Sequence, residues 1–175
     1  MHKYRSSSRY YIFESIIGGV LIIGLGYLAV SAIDNIAAEI SVVMVSFFVL
    51  LWIVHHTREV VIDVEFQEQF IIVNHIFKES RIRVHYEDIF ELQYINVNKS
   101  PTMNMMKFNY EGNRKSIRFR TVANGAGYID FVKWIKSKND KIKVSVYPPD
   151  DYMNHRLQEE YGFNYRKVLK LPVEE

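Results

Sequence analysis

Hydrophobic residues change their spacing near residue 60, and this change divides the chain into two parts. Residues 15–33 contain no charged side chain, and a second apolar segment extends from Ile40 to Val54 after a short polar connection. A helix needs about 20 residues to cross the hydrocarbon core of a bilayer. The pattern therefore predicts a transmembrane helical hairpin over residues 12–57. We expect residues 1–11 to form a cytoplasmic N-terminal tail, flexible at Ser6–Ser8.

Two other interpretations of the apolar segments account for less of the pattern. A buried helical hairpin in a soluble core rarely contains segments this long without a charge. A cleaved signal peptide is followed by a polar mature chain, whereas a second apolar segment follows here. We therefore favour the membrane hairpin.

The charges that flank the hairpin predict its orientation. Lys3, Arg5 and Arg9 precede the first segment and Arg58 follows the second, while the connection between them contains no Lys or Arg. Positive residues favour the cytoplasmic side. We expect a multi-pass protein of the cytoplasmic (inner) membrane with both termini in the cytoplasm.

Aromatic and histidine side chains lie where the two segments should meet the membrane surface. Amphipathic rings settle at that depth, which makes Tyr10, Tyr11, Trp52, His55 and His56 candidate interface anchors. Metal binding by the two histidines is the weaker alternative, because adjacent helical residues point about 100° apart.

Small residues follow one face of the first helix. The face contains Ser15, Gly18, Ile22, Gly26 and Ala29. Small side chains let membrane helices approach closely. We favour packing against the second helix of the same chain, and a homo-oligomer interface is the alternative.

After residue 60 the apolar residues alternate, which is typical of half-buried strands. In the first strand Val60, Ile62, Val64 and Phe66 should point inward, with Asp63 among the outward residues. Further strands are predicted over residues 70–77, 81–86, 89–95, 105–110, 116–120 and 141–147, with a hairpin turn at 111–114. Helical spacing returns after Asn124 or Gly125 and again over residues 152–161.

Several antiparallel strands followed by an amphipathic helix predict an α+β domain, built as a bent antiparallel sheet or open barrel capped by a C-terminal helix. We expect this domain over residues 58–147. Residues 148–175 should add a helix, N-capped by Asp150–Asp151 and closed by Gly162, and then an apolar and basic extension.

Two segments of this domain resemble bacterial pleckstrin-homology-like (PH-like) proteins. Residues 81–89, Arg-Ile-Arg-Val-His-Tyr-Glu-Asp-Ile, resemble a strand followed by the family's Asp-Ile pair, and residues 107–119 with the helix at 126–138 are similar to the domain's end. Family members, including the YcxB-like group, place this domain directly after two transmembrane helices. The resemblance implies a scaffold that binds lipid head groups, peptides or partner proteins. The turn at 66–70 lacks the basic cluster of phosphoinositide-binding members.

Six cations are candidate contacts for anionic lipids or a partner. Arg81 and Arg83 share the face of one predicted strand, and Arg118 and Arg120 share the face of another, near Arg114 and Lys115. An ordinary solvated sheet surface is the alternative, in which Asp63 and Glu65 would offset the positive charge.

The remaining composition narrows the functional classes. The absence of cysteine excludes disulfides, thiolate metal sites and cysteine nucleophiles, and a net charge of +2 is too small to argue for nucleic acid. We expect no catalytic residue, cofactor or metal. The sequence favours a non-enzymatic membrane protein that presents its domain for lipid or protein binding. The alternatives are a dedicated partner protein, such as a toxin-immunity protein or accessory subunit of a membrane complex, and a membrane-bound hydrolase.

Overall fold

The computed structural model describes residues 3–78, 80–97 and 101–162, and they form two compact units. One unit lies within Ser8–Ile62 and His75–Ser80 and contains two helices, α1 (Tyr10–Ser31) and α2 (Ile36–Val60). The other lies within Met1–Ser7, Asp63–Asn74 and Arg81–Glu175 and contains most of the strands.

Helices α1 and α2 are long and apolar enough to cross a membrane. The most apolar windows of α1 and α2 have mean hydropathies of 2.0 and 2.4, and no part of either window is buried within the protein. A hairpin in the core of a soluble domain would have these side chains covered. Their exposure in both helices therefore supports the membrane interpretation over the soluble one.

The small residues of α1 pack against α2 of the same chain, as we favoured. A Cβ atom added to Gly26 would lie 2.9 Å from the Ser46 hydroxyl oxygen, so only glycine fits there without a shift. Further along the pair, the hydroxyl groups of Ser15 and Thr57 are 2.6 Å apart. These contacts fix α1 and α2 as an antiparallel pair.

The expected flexible tail before α1 is wrong, because Tyr4–Ser7 forms a strand, β1. It pairs antiparallel with β2 (Ile62–Phe66), and Tyr4 lies opposite Phe66. The strand is held because the Tyr4 ring packs edge-on against Phe131 at 5.0 Å. The helical hairpin is therefore a long insertion between two paired strands.

The first sheet has the order β1-β2-β3-β4, with β3 at Phe70–His75 and β4 at Ser80–His85. The prediction for β2 was wrong in two respects. Helix α2 extends through Val60, so the strand begins later, and Asp63 is 3% exposed although it was predicted to face solvent. Arg5 of β1, the strand that pairs with β2, lies 3.6 Å from the Asp63 carboxylate.

The second sheet has the order β7-β6-β5-β8. Its strands are β5 (Ile89–Ile95), β6 (Met103–Tyr110), β7 (Asn113–Arg120) and β8 (Lys143–Tyr147). Strands β5, β6 and β7 are antiparallel, but β8 is parallel to β5, which corrects the purely antiparallel prediction. The helix that precedes β8 returns the chain to the end of the sheet at which β5 begins. A strand that starts from this end runs parallel to β5.

The turn between β6 and β7 is tighter than the predicted four residues. Glu111 and Gly112 alone form it, with φ of 52° and 75°. Positive φ at both central residues is typical of a type I′ turn, which matches the twist of the paired strands. Asn113 belongs to β7 and pairs with Tyr110.

Helix α3 (Ala126–Lys138) packs in the core between the two sheets and has the predicted bounds. Tyr128, Phe131, Val132 and Ile135 are fully buried. Phe66 of the first sheet meets the Phe131 ring at 5.0 Å, and Tyr94 of the second sheet meets Tyr128 at 4.6 Å. Burial of these rings contributes to the hydrophobic stabilisation of the domain.

Helix α4 (Tyr152–Tyr161) also has the predicted caps. The Asp151 carboxylate accepts a hydrogen bond from the Met153 amide at 2.7 Å, and Gly162 ends the helix with φ of 79°. The apolar and basic extension lies outside the described residues. The α+β class is confirmed, with two four-stranded sheets in place of one bent sheet or barrel.

Candidate functional site

The strand registers of the second sheet bring a group of cations onto its outward face. On the opposite face Met106, Phe108 and Phe119 point into the core, so their neighbours along β6 and β7 point outward. We call the outward surface the basic face. Its cations are Lys107, Arg114, Arg118, Arg120 and Lys143.

The charge on the basic face is unbalanced. Glu91 carries the only carboxylate among the described residues of this face, and it is already paired with Lys107 at 2.9 Å. Arg118 and Lys143 make no ion pair with any residue in the described part of the chain. Arg114 lies over the Phe90 ring, 5.6 Å from its centre, a contact that keeps its charge available. The face can therefore bind an anionic surface without first breaking an internal ion pair of these three cations.

Apolar side chains lie between the cations. Met105 is the cross-strand partner of Arg118 and Met103 is the partner of Arg120, and both methionines are half-buried. Tyr147, at the end of β8, is 53% exposed. A surface that mixes cations with flexible apolar groups suits the boundary between head groups and acyl chains.

Sequence reasoning found only part of this face. It missed Lys107 and Lys143, because their place on the face depends on the pairing of β6 and β8 with β5. One signal was available for Lys107, which alternates with the apolar residues Met106 and Phe108 in the sequence. Nothing in the sequence near Lys143 indicates the parallel register.

Lys115 does not belong to the basic face. It lies between Arg114 and Ser116 on β7, so it points to the other side of the strand. Its ammonium group lies 4.3 Å from the centre of the Tyr110 ring. The charge of the nearby Glu111 raises the pKa of the Tyr110 hydroxyl.

Arg81 and Arg83 lie on β4, the edge strand of the first sheet, and both are exposed as expected. The guanidinium of Arg83 lies 5.3 Å from the centre of the Phe70 ring. The structure therefore places the two predicted arginine groups in different sheets.

The carboxylates that we expected to offset these cations have another partner. Asp63 and Glu65 lie 3.6 and 3.7 Å from Arg5 of β1. Sequence reasoning missed this contact because it treated the segment before α1 as a tail.

The candidate membrane anchors lie where α1 begins and α2 ends. The rings of Tyr10 and Tyr11 stack at 4.3 Å, and Trp52 stacks on His56 at 5.4 Å. His55 and Trp52 are exposed, and Trp52 retains 63% of its accessible surface. Since α1 and α2 are antiparallel, all five side chains lie toward the same end of the hairpin.

Neither a metal site nor a relative supplies a function. Within residues 3–78, 80–97 and 101–162, no group of three or more His, Asp or Glu side chains could hold a metal ion. No protein-family model matches the chain, and no curated protein is similar to it. The basic face and the apolar hairpin are thus the features from which a function can be argued.

Proposed function

We propose that this chain is a non-enzymatic protein of the cytoplasmic membrane whose PH-like domain binds anionic lipid head groups through the basic face. The unbalanced charge of that face carries the proposal. Each Lys or Arg near an anionic membrane surface contributes about 1 kcal/mol. Arg114, Arg118 and Lys143 make no ion pair within the described part of the chain, and together they give an attraction of about 3 kcal/mol when all three reach the head groups.

The pairing of β1 with β2 supports a hairpin that crosses the membrane twice. Ser8, just before α1, donates its amide hydrogen to the carbonyl oxygen of Ile62, just after α2, at 3.0 Å. Two segments joined by hydrogen bonds must lie on the same side of any membrane that the hairpin spans. Positive residues at both flanks favour the cytoplasmic side.

The short connection between α2 and β2 supports a lipid ligand. Only Val61 separates the last residue of α2 from the first residue of β2. Tethering of this kind raises the effective concentration of head groups around the domain. Weak individual contacts of the basic face are then sufficient for binding.

Quenching of a single fluorophore in the full-length protein tests this function. The chain contains no cysteine, so Ser116→Cys places one label on the basic face between Arg114 and Arg118. In nanodiscs that contain phosphatidylglycerol we expect less quenching by acrylamide than in phosphatidylcholine nanodiscs. Salt at about 1 M should remove the difference, because it reduces the Debye length to about 3 Å. A label at the exposed Gln69, in the turn between β2 and β3, should be quenched equally in both lipids.

Two matched double variants separate the basic face from charge in general. Arg114→Gln/Arg118→Gln should abolish the protection of the Ser116 label. Removal of two cations corresponds to about 2 kcal/mol, or roughly a thirtyfold weaker interaction. Arg81→Gln/Arg83→Gln, on the other sheet, should leave the protection intact. Equal effects of the two variants, or no dependence on lipid charge, would contradict the proposal.

A further inference from the structure

An open groove lies between helices α1 and α2, near the start of α1 and the end of α2. Its volume is about 540 Å³, within the range of roughly 300–1,000 Å³ typical of small-molecule sites. Aliphatic side chains, including Ile12, Ile16, Leu50 and Val54, form most of its wall. Gly19 contributes no side chain, and a Cβ atom there would lie 3.7 Å from Leu50, so the space beside it stays open.

The groove offers its occupant an apolar surface and one cation. Its two hydroxyl groups, on Ser15 and Thr57, bond to each other, and Thr57 also donates to the carbonyl oxygen of Ile53 at 2.7 Å. Arg58 also lines the groove, and its guanidinium makes no hydrogen bond or ion pair with any residue that the structure describes. The adjacent Glu59 is paired with Lys78 at 2.5 Å and does not neutralise Arg58.

We propose that this groove holds an acyl chain of an anionic phospholipid whose phosphate binds Arg58. The inference rests on the membrane hairpin of the proposed function, but the groove is distinct from the basic face. A guanidinium suits phosphate because it can donate two parallel hydrogen bonds. Arg58 lies four residues beyond Val54, about 6 Å further along the helix axis. This spacing places the charge beyond the apolar wall, as the phosphate lies beyond the acyl chain.

The groove is open to the surroundings of the hairpin. Ile16 and Val54, on its two sides, are 59% and 57% exposed. In a bilayer this surface faces acyl chains, so a lipid can enter from the side without parting α1 from α2. Phe77, from the turn between β3 and β4, adds an aromatic ring to the groove lining.

Electron spin resonance of the full-length protein in nanodiscs tests the groove. The probes are phosphatidylglycerol and phosphatidylcholine, each spin-labelled on an acyl chain, in phosphatidylcholine nanodiscs. We expect a motionally restricted component that favours phosphatidylglycerol by about fivefold, the equivalent of one cation at the membrane surface. Gly19→Leu should fill the groove and remove the component. Gly24→Leu is the control, since nothing lies within 4 Å of a Cβ atom at Gly24, and it should keep the component.

Arg58→Gln separates head-group binding from groove filling. It should keep the restricted component and lose the preference for phosphatidylglycerol, whereas Arg58→Lys should keep both. A preference that survives Arg58→Gln, or identical spectra for Gly19→Leu and Gly24→Leu, would overturn the proposal. Protection of the Ser116 label should not change in Gly19→Leu, so failure of the groove and failure of the basic face give different results.

Discussion

Tyr86 connects three parts of the domain through one side chain and its backbone. Its hydroxyl donates to the carbonyl oxygen of Gln67 at 2.6 Å, and its ring meets Trp134 of α3 edge-on at 5.7 Å. Its carbonyl oxygen accepts a hydrogen bond from the Asn139 side chain at 2.8 Å. Burial, and secondarily the charge of Glu68, raises the pKa of the Tyr86 hydroxyl.

Tyr86→Phe should lower the free energy of unfolding by about 1–2 kcal/mol at neutral pH, because the Gln67 carbonyl loses its donor. The pKa in the folded state is higher than in the unfolded chain, so this contribution is fully present below pH about 10 and is lost as the pH rises further. Denaturant unfolding of the full-length protein in detergent, followed across this range, should therefore show a smaller alkaline loss in Tyr86→Phe than in the wild type.

Tyr161→Phe serves as the control for this prediction at neutral pH. Burial raises the pKa of Tyr161 to about 12, but its hydroxyl makes no hydrogen bond within the described part of the chain. Its removal should change stability much less than removal of the Tyr86 hydroxyl. Equal losses in the two variants would show that the Gln67 hydrogen bond is not the cause.

Lys136 shows what residue patterns do not reveal. It lies near the end of α3, where a cation interacts favourably with the helix dipole, yet its side chain is fully buried. It donates to the carbonyl oxygens of Asp140 and Ile142, the latter at 3.1 Å. Burial lowers the pKa of its ammonium group. After Asn139 the chain folds back over α3. Helical periodicity does not predict this fold-back, so it does not predict the burial of Lys136.

Among the elements, those with strong local signals could be predicted and those held by distant partners could not. The spacing of apolar residues identified α1, α2 and α3, and the caps of α4 lie within its own sequence. Strand β1 has only four residues, Tyr-Arg-Ser-Ser, which is too short for a periodic signal. Its partner β2 follows more than fifty residues later, and only the pairing reveals it.

The basic face also combines residues that local sequence patterns could place with residues that only tertiary pairing brings together. Arg118 and Arg120 could be placed on one strand face by alternation alone. Their association with Lys143 could be predicted only from the parallel pairing of β8 with β5. Their separation from Arg81 could be predicted only from the division of the strands into two sheets. Strand pairing between distant segments depends on tertiary packing, which a single sequence does not show.

Strand β1 should stabilise the domain even when the membrane hairpin is absent. Ser8 and Ile62 are hydrogen-bonded neighbours, so an Asn-Gly type I′ turn can replace residues 9–61. We expect this shortened protein to be soluble and to unfold at a higher temperature than a fragment that begins at Ile62, because the fragment lacks the contact of Tyr4 with Phe131. Thermal unfolding followed by circular dichroism measures the difference.

A Tyr4→Ala change should remove much of that advantage, since an aromatic pair contributes about 0.5–1.5 kcal/mol beyond the area that it buries. Equal melting temperatures for the fragment and the shortened protein would mean that β1 adds nothing to the first sheet. The same result would weaken the argument that both flanks of the hairpin lie on one side of a membrane.

For the whole molecule, the proposed function requires a hairpin that enters and leaves the membrane on the same side. The hydrogen bonds between β1 and β2 impose this arrangement on any membrane-spanning state, and α1 and α2 are long and apolar enough to cross a membrane. This placement brings the basic face close to lipid head groups and the groove at Arg58 close to phospholipid.

Labelling of single cysteines with a membrane-impermeant maleimide tests this claim most directly. Lys3, Asp34 and Glu87 are exposed positions before, within and after the hairpin, and the natural chain has no cysteine to interfere. In sealed right-side-out vesicles we predict labelling of Asp34→Cys alone. In inverted vesicles we predict labelling of Lys3→Cys and Glu87→Cys but not of Asp34→Cys. Labelling of Asp34→Cys and Glu87→Cys from the same side would contradict the account.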